Sequence, residues 1–310
     1  MEFKHIPVML NEVIDGLKIK KDGIYVDGTI GGAGHSKEII KRLSENGLLI
    51  GIDRDEDALK AANENLKEYK NYKLIHGNHD DIKNILHNIN IEKVEGILLD
   101  LGVSSYQLDE KDRGFSYSQD AILDMRMDKS QKLTAMDVVN KYSEKDLADI
   151  IYRYGEEKHS RTIAKNIAIA RKNKKITTTK ELVEIIEKSI PYSKDGHPAK
   201  RTFQAIRIEV NDEINPLYNT ILNSIDCLKN GGRICVITFH SLEDRAVKKA
   251  FQEAEGKCTC PSDLPYCVCG NKTLGKIVNK KPIVATKEEQ ENNPRSKSAK
   301  LRIFERREKK

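Results

Sequence analysis

The sequence lacks the features that would place the protein in a membrane or in a secretory pathway. None of its apolar runs approaches the roughly 18 residues that a membrane-spanning helix needs. The first residues, Met1 to Pro7, match neither a signal peptide nor a transit sequence. Cysteine is also absent from Met1 through Asp226, which removes thiol nucleophiles from that part of the chain. We therefore expect a cytoplasmic protein.

Charged residues are abundant but unevenly distributed. They make up 33% of the 310 residues, and the formal net charge is +6. Residues 158–175 contain seven lysines and arginines and no acidic residue, whereas residues 294–310 contain eight and two glutamates. Such clusters attract a phosphate backbone, but a solvated helix face and a frayed tail would have the same composition. The length predicts a large core with an inserted or appended module.

A glycine-rich turn follows the first predicted strand. Asp27 ends that strand, and Gly31, Gly32 and Gly34 follow it. Glycines leave the backbone and the start of the next helix open to a ligand. Asp53 lies 19 residues beyond Gly34, where an acidic side chain accepts hydrogen bonds from ribose hydroxyls. The pattern predicts a nucleoside-binding site.

The glycine loop alone does not separate S-adenosylmethionine from a dinucleotide. The dinucleotide spacing G-x-G-x-x-G is absent here. Asp27 would repel a pyrophosphate, and it suits the amino group of a methionine moiety. These residues favour S-adenosylmethionine, with a dinucleotide site and a purely structural turn as the alternatives.

Short apolar or β-branched runs between turn residues predict strands at 24–27, 48–53, 72–76, 94–101, 233–239, 282–285 and 301–305. Helical periodicity predicts helices at 36–43, 55–69 and 81–89. This alternation predicts a parallel, doubly wound α/β sheet, whose ligands gather at the carboxyl ends of the strands. Asp27, Asp53, His79 and Asp100 fall at or just after such ends.

About 130 residues separate the fourth strand from the fifth, far more than one crossover requires. Capping patterns predict helices that begin at Ser143 and Thr178, and others are expected at 159–172, 198–210 and 214–228. We therefore predict that residues 109–205 form an inserted helical domain between core segments 1–108 and 206–310. The first basic run lies on a helix of this insert.

Long segments of the sequence point to one family. They include HIPVML at 5–10, LDLGVSS at 99–105, TFQAIRI at 202–208 and FHSLEDR at 239–245, with further matches along nearly the whole chain. These segments resemble the bacterial 16S rRNA cytosine-N4 methyltransferases, the RsmH or MraW family. The resemblance implies a class I S-adenosylmethionine-dependent methyltransferase with a Rossmann-like doubly wound sheet and an inserted, mainly helical substrate-recognition domain.

The implied reaction transfers a methyl group from S-adenosylmethionine to the exocyclic N4 amine of a decoding-region cytosine, position 1402. The implied partner is 16S rRNA within the small ribosomal subunit. Carried over by position, the family's cofactor contacts fall on Ala33, Gly34, His35, Asp53, His79, Asp100 and Gln107. The family commonly has a larger aromatic at position 79 and a proline at position 106, where this chain has His79 and Tyr106. Adenine packing and the loop that carries Gln107 are therefore expected to differ.

Asp100 is the candidate catalytic residue. Because the methyl donor is already activated, the enzyme has mainly to position the reactants. The amine of cytosine is a poor nucleophile, and Asp100 would accept its N–H and later its proton. The backbone carbonyls of Leu101 and Gly102 are alternative acceptors, and Asp100 would then only orient the cofactor.

Several other residues have both a functional and a structural interpretation. A nucleotide base that leaves its stack would pack against an aromatic ring, and the candidates are Tyr106, Phe115 and Tyr117. For each of them, ordinary packing within the protein is the alternative. His240 follows a strand, which favours a hydrogen-bonding role over a catalytic one. Cys227 and Cys235 fall in apolar segments and are expected in the core.

The remaining cysteines form a C-x-C, six-residue, C-x-C arrangement at Cys258, Cys260, Cys267 and Cys269. Four thiolates on a turn-rich hairpin would suit a structural zinc ion. The spacing is tighter than the usual C-x-x-C, so free thiols and a redox pair are alternatives, and we assign no metal.

Two other functions remain open on the sequence. A small-subunit assembly factor would bind S-adenosylmethionine without turnover. A nicotinamide-dependent oxidoreductase is disfavoured by Asp27 and by the missing dinucleotide spacing. The sequence also leaves open whether the chain forms a homodimer.

Overall fold

The computed structural model describes residues 7–103, 110–191, 196–258, 260, 264, 266 and 272–307. Its strands are β1 (Ile24–Asp27), β2 (Leu48–Asp53), β3 (Tyr72–His76), β4 (Val94–Asp100), β5 (Leu228–Thr238), β6 (Gly275–Ile277), β7 (Ile283–Val284) and β8 (Lys300–Arg306). These strands belong to one of two compact units, which comprises Met1–Gly102 and Ile214–Lys310. The other unit is Val103–Glu213.

The helices, in chain order, are α1 (Leu10–Leu17), α2 (Gly34–Ile40), α3 (Glu56–Leu66), α4 (Ile82–Asn88), α5 (Ala135–Lys141), α6 (Glu144–Gly155), α7 (Ser160–Asn173), α8 (Thr179–Ser189), α9 (Ala199–Asn211), α10 (Leu217–Asp226), α11 (Ser241–Ala254) and α12 (Lys287–Asn292). Helices α5 to α9 lie in the second unit, and the others lie in the first. Within the described residues, no helix combines the length and the apolar character needed to span a membrane.

The sheet has the strand order β3-β2-β1-β4-β5-β8-β6, with β7 paired to β8. Strands β1 to β5 run parallel, and β8 runs antiparallel to β5. The parallel, doubly wound sheet predicted from the sequence is therefore confirmed. Since the chain order reverses between β1 and β4, the switch point where such sheets bind ligands lies at the carboxyl ends of these two strands.

Helices cover both faces of the sheet, as the apolar sequences of parallel strands require. One apolar cluster contains Ile85 of α4, Ile221 of α10 and Phe251 of α11. The opposite cluster contains Leu17 of α1 and Ile40 of α2. The two cysteines expected in the core, at positions 227 and 235, are buried, one in each cluster.

Several element boundaries differ from those expected. The helix predicted for 214–228 begins after Pro216 and ends at Asp226, because Leu228 already pairs with Val94 in the sheet. Helices α1, α11 and α12 and strand β6 were not predicted. Helix α11 is capped by His240, which is an uncommon N-cap residue and so gave a weak sequence signal.

The C-terminal basic run is structured, not frayed, through residue 307. It forms β8, and Arg302 lies 2.7 Å from the carboxylate of Asp244. Arg306 and Arg307 likewise lie 3.3 Å and 3.0 Å from carboxylate oxygens. The frayed-tail interpretation is wrong for this part of the chain, because its cations pair with acidic residues of the same unit.

The second unit is mainly helical. Ser143 caps α6, and Thr178 forms a capping box with Glu181 at the start of α8, as predicted. A further capping box at Thr134 begins the seven-residue helix α5, which is too short to show clear periodicity. The boundaries of this unit lie close to those predicted for the insert, and its role in substrate recognition stays a prediction.

We expect Phe251→Ala to lower the free energy of unfolding of the first unit by about 3–5 kcal/mol, because the ring is fully buried against Phe304, 5.3 Å away between centroids. Phe251→Leu should cost less, since it keeps most of the apolar volume. Urea unfolding followed by circular dichroism measures both. Equal losses for the two variants would contradict packing as the cause.

Candidate active site

Three aspartates end neighbouring parallel strands. Asp27 ends β1, Asp53 ends β2 and Asp100 ends β4, and β1 pairs with both of the other strands. The charge of Asp53 raises the pKa of Asp27, and that of Asp27 raises the pKa of Asp100, although burial is the larger cause in each case. The carboxylates predicted at separate points of the chain therefore lie at one edge of the sheet.

Asp27 organises the loop that follows β1. Its side chain is buried, accepts a 2.7 Å hydrogen bond from the hydroxyl of Ser36, and accepts a 3.2 Å bond from the Thr29 amide. Burial raises its pKa to about 6, and the bonds from Ser36 and Thr29 oppose that rise. The expected contact with the amino group of a methionine moiety stays a prediction, since both oxygens already hold groups of the protein.

Asp53 holds the glycine loop against β2. One oxygen accepts a 2.9 Å bond from the Gly31 amide, and the other accepts a 2.9 Å bond from the Asp55 amide. Burial nevertheless raises the pKa of Asp53. Each carboxylate oxygen has a second lone pair, so the side chain is still able to accept from two hydroxyl groups. This is the arrangement expected for ribose recognition.

The segment from Gly31 to His35 turns sharply before α2. Gly31 and Ala33 have φ values of 48° and 63°, which is left-handed backbone. Gly34 is restricted for a different reason, because a Cβ there would lie 2.6 Å from Cγ of Pro7. The sequence suggested that this glycine keeps the turn open to a ligand. The structure adds a packing requirement for the same residue.

His35 connects the N-terminal segment to Asp100. Its Nε2 donates to the Val8 carbonyl at 2.9 Å, because a carbonyl only accepts. Its Nδ1 lies 3.7 Å from Oδ2 of Asp100. The side chain is buried, and the position of the ring is set by contacts at both nitrogens.

Asp100 is the residue with the most unusual electrostatic environment. Its backbone amide donates to Oγ1 of Thr29 at 2.7 Å, and its Oδ1 is buried without a hydrogen-bond partner among the described residues. Burial, with the charges of Asp27 and Glu243, raises the pKa of Asp100 to about 8. A buried carboxyl oxygen without a donor favours a ligand that brings a positive charge or an N–H group.

His79 follows β3 and lies beside β1. A Cβ at Gly28 would lie 3.1 Å from Cβ of His79, so the two segments are in close contact. Burial lowers the pKa of His79 to about 4, and the charge of Asp80 opposes that shift. The imidazole is therefore neutral near pH 7, which allows its face to pack against a purine ring.

The structure brings six of the seven predicted cofactor residues to the switch-point edge of one unit: Ala33, Gly34, His35, Asp53, His79 and Asp100. Gln107 and Tyr106 lie outside the described residues. Thr29, Ser36 and Glu243 were missed by the sequence analysis. Single polar residues after a strand carry no distinctive pattern, whereas Glu243 had a detectable signal in its spacing of three from His240.

Glu243 closes the turn between β5 and α11. It is buried, and it accepts from the amides of Phe239 at 2.7 Å and His240 at 3.3 Å. The Glu243 amide lies 3.5 Å from Nδ1 of His240, which acts as the acceptor. His240 is thus a helix cap, which agrees with the hydrogen-bonding role expected for it.

The aromatic and cysteine candidates have other surroundings. In the second unit, Phe115 is buried, and Tyr117 stacks on His197 at 4.5 Å between ring centroids. Both rings therefore take part in packing, the alternative left open by the sequence. Cys258 is exposed and Cys260 partly exposed, and the other two cysteines of the proposed zinc motif lie outside the described residues.

The strand order, the switch point and the acidic strand ends are those of a class I S-adenosylmethionine-dependent methyltransferase with a Rossmann-like sheet. The chain belongs to the MraW methylase family, whose family model matches residues 2–307. This membership sets aside the dinucleotide and empty-turn alternatives, which the sheet alone does not exclude.

Close relatives cover almost the entire chain. A protein of Agathobacter rectalis called ribosomal RNA small subunit methyltransferase H 2 is 57% identical over 310 residues, covering 98% of this chain and 99% of that protein. Ribosomal RNA small subunit methyltransferase H of Clostridium botulinum strain Kyoto is 58% identical over 305 residues, with the same coverage. The chain therefore aligns with both relatives over almost their whole length.

We expect Asp53→Ala to weaken binding of S-adenosylhomocysteine at least a hundredfold, because it removes the ribose acceptor and also releases the Gly31 amide. Isothermal titration calorimetry measures the affinity. Asp57→Ala on α3 is the matched control, because the Asp57 carboxylate pairs with the exposed Lys60 at 3.4 Å. This variant should bind S-adenosylhomocysteine as tightly as the parent protein does. Equal losses in both variants would contradict the assignment.

The raised pKa of Asp100 predicts a pH-dependent stability. In the unfolded chain this carboxyl ionises near its ordinary value of 3.8, whereas in the folded protein it keeps its proton up to about pH 8. Its contribution to stability is therefore full below pH 4 and is lost as the pH rises to 8. The Asp100→Asn variant has no titrating group at this position, so it escapes the loss of stability with rising pH. We therefore expect the free energy of unfolding of the variant, minus that of the parent, to be about 1–3 kcal/mol larger at pH 8 than at pH 4.5. Chemical denaturation at the two pH values measures this difference. A difference between variant and parent that stays constant with pH would contradict a raised pKa of Asp100.

Proposed function

We propose that the protein transfers a methyl group from S-adenosylmethionine to the exocyclic N4 amine of a decoding-region cytosine of 16S rRNA, within the small ribosomal subunit and in the cytoplasm. Membership of the MraW methylase family and the names of the relatives support rRNA as the substrate. The observation that carries the chemistry is the Asp100 carboxyl, whose buried Oδ1 has no donor among the described residues.

The residues at the switch point suit each part of this cofactor. Asp53 would accept from the ribose hydroxyls, and the turn from Ala33 to His35 would lie along the methionine moiety. The neutral face of His79 would pack against adenine. Asp100 would interact with the cationic part of the molecule, for which its unsatisfied oxygen is suited. Gln107 is retained as a predicted contact.

When bound, S-adenosylmethionine supplies a methyl group that is activated by a sulfonium. In the transfer, a bond forms between this carbon and N4 of cytosine while the bond from the carbon to sulfur breaks, and N4 loses one proton. Asp100 would accept an N–H of the amine, which localises the nitrogen lone pair, and would then take the proton and pass it to water. In the protein alone, a pKa of about 8 leaves Asp100 mostly protonated near neutral pH. The positive charge of a bound sulfonium would lower that pKa and favour the ionised carboxylate that this role requires.

The reaction is tested with labelled S-adenosylmethionine and small ribosomal subunits from cells that lack this enzyme. We expect label in N4-methylcytidine after nucleoside analysis, and at least a hundredfold lower rate for Asp100→Ala with rRNA binding retained. Label on carbon 5 of cytosine, on ribose or on protein would overturn the proposed substrate atom. If the protein binds the cofactor and the subunit but transfers no methyl group, the alternative function, a small-subunit assembly factor without turnover, would be favoured.

A further inference from the structure

A row of exposed cations lies on α7 in the second unit. The α7 stripe, as we call it, consists of Lys158, Arg161, Lys165 and Lys172, all exposed. Spacings of four and seven residues place the last three on one face of α7, where they extend over about 16 Å. Lys158 lies in the turn that precedes the helix. The opposite face, which includes Ile163 and Ile167, is fully buried. The stripe is therefore held toward solvent by the packing of the helix.

The stripe is electrostatically unfavourable within the isolated chain. Among the described residues, none of its four cations lies within 4 Å of a carboxylate oxygen. Arg161 and Lys165 form a like-charge i, i+4 pair, which costs about 0.2–0.5 kcal/mol in a helix. Arg161 also lies in the first turn of α7, where no acidic residue is present and where the helix dipole disfavours a cation. An anionic partner would reverse each of these effects.

The other basic run of the sequence gives an internal comparison. In β8, Arg302 and Lys300 lie 2.7 Å and 3.5 Å from the carboxylate of Asp244, and Arg306 pairs with Asp226. Those cations are neutralised by the fold. Both runs are rich in lysine and arginine. At the four positions of the α7 stripe, unlike at these three positions of β8, no carboxylate oxygen of the described residues lies within 4 Å of the cation.

We propose that the α7 stripe binds the phosphate backbone of the rRNA substrate. The identity of the RNA rests on the proposed function, but the recognition of phosphates does not. A linear row of cations suits a polyphosphate chain, whose contacts are sequence-independent. Ile169, which is 49% exposed between Lys165 and Lys172, adds one apolar contact. A membrane surface is a poor fit, because an interfacial helix inserts its apolar face, and the apolar face of α7 is occupied by packing.

The test compares two double variants with the same change in charge. Lys165→Gln with Lys172→Gln removes half of the stripe. Lys60→Gln with Lys67→Gln is the control, because these lysines are also seven residues apart, one within α3 and one at its C-cap, with side chains 74% and 68% exposed. Fluorescence anisotropy measures the binding of a labelled decoding-region fragment of 16S rRNA from 50 to 300 mM KCl.

We expect the stripe variant to bind this RNA at least tenfold more weakly at 150 mM KCl, and its salt slope, −d log K/d log[KCl], to fall by about 1.5. Binding of S-adenosylhomocysteine should be unchanged, and in the methylation assay KM for the subunit should rise while kcat stays within twofold. The control should match the parent in every measurement. An equal loss in both variants, an unchanged salt slope, or tighter binding to polyglutamate than to RNA would overturn the proposal. If RNA binding depends on the stripe but no methyl group is transferred, the proposed function fails and this inference stands.

Discussion

The carboxylates at the ends of β1, β2 and β4 repel one another in a poorly solvated edge of the sheet, and the surrounding backbone is organised around that repulsion. Asp27 and Asp53 are held by donors from the following loop, including the amides of Thr29 and Gly31. Asp100 receives fewer donors, and its pKa is raised furthest, to about 8. Because two of the acids are satisfied internally, the third is left as the one with the greatest affinity for an external cation or N–H group.

The parallel sheet and the loop geometry produce this arrangement together. Parallel strands end at the same edge, so residues far apart in sequence become neighbours there. The left-handed turn at Gly31 then directs its amide toward Asp53, and the hydroxyl of Thr29 accepts the amide of Asp100. A single loop thus contacts all three acidic strand ends, which explains why the segment from Asp27 to His35 is informative in the sequence.

Much of this was predictable because the signals are local. The first four strands, the alternation with helices, and the caps at Ser143 and Thr178 follow from periodicity and polar patterns that span a few residues. Which cations of the two basic runs form ion pairs was not predictable, because pairs such as Arg302 with Asp244 join segments 58 residues apart. The packing of Gly34 on Pro7 and the unsatisfied oxygen of Asp100 likewise depend on tertiary contacts.

Strand β8 has a consequence for how the protein is made. It lies between β5 and β6, yet it is formed by residues 300–306, which follow the other strands of this sheet in the sequence. Until they emerge from the ribosome, β5 presents an open edge of unpaired amides and carbonyls, a surface prone to aggregation. The first unit therefore completes its sheet only after residues 300–306 have been synthesised, whereas Val103–Glu213, a continuous segment, has all its residues available earlier. Loss of residues 300–306 would consequently expose the edge of β5 and remove the strand with which β6 and β7 pair.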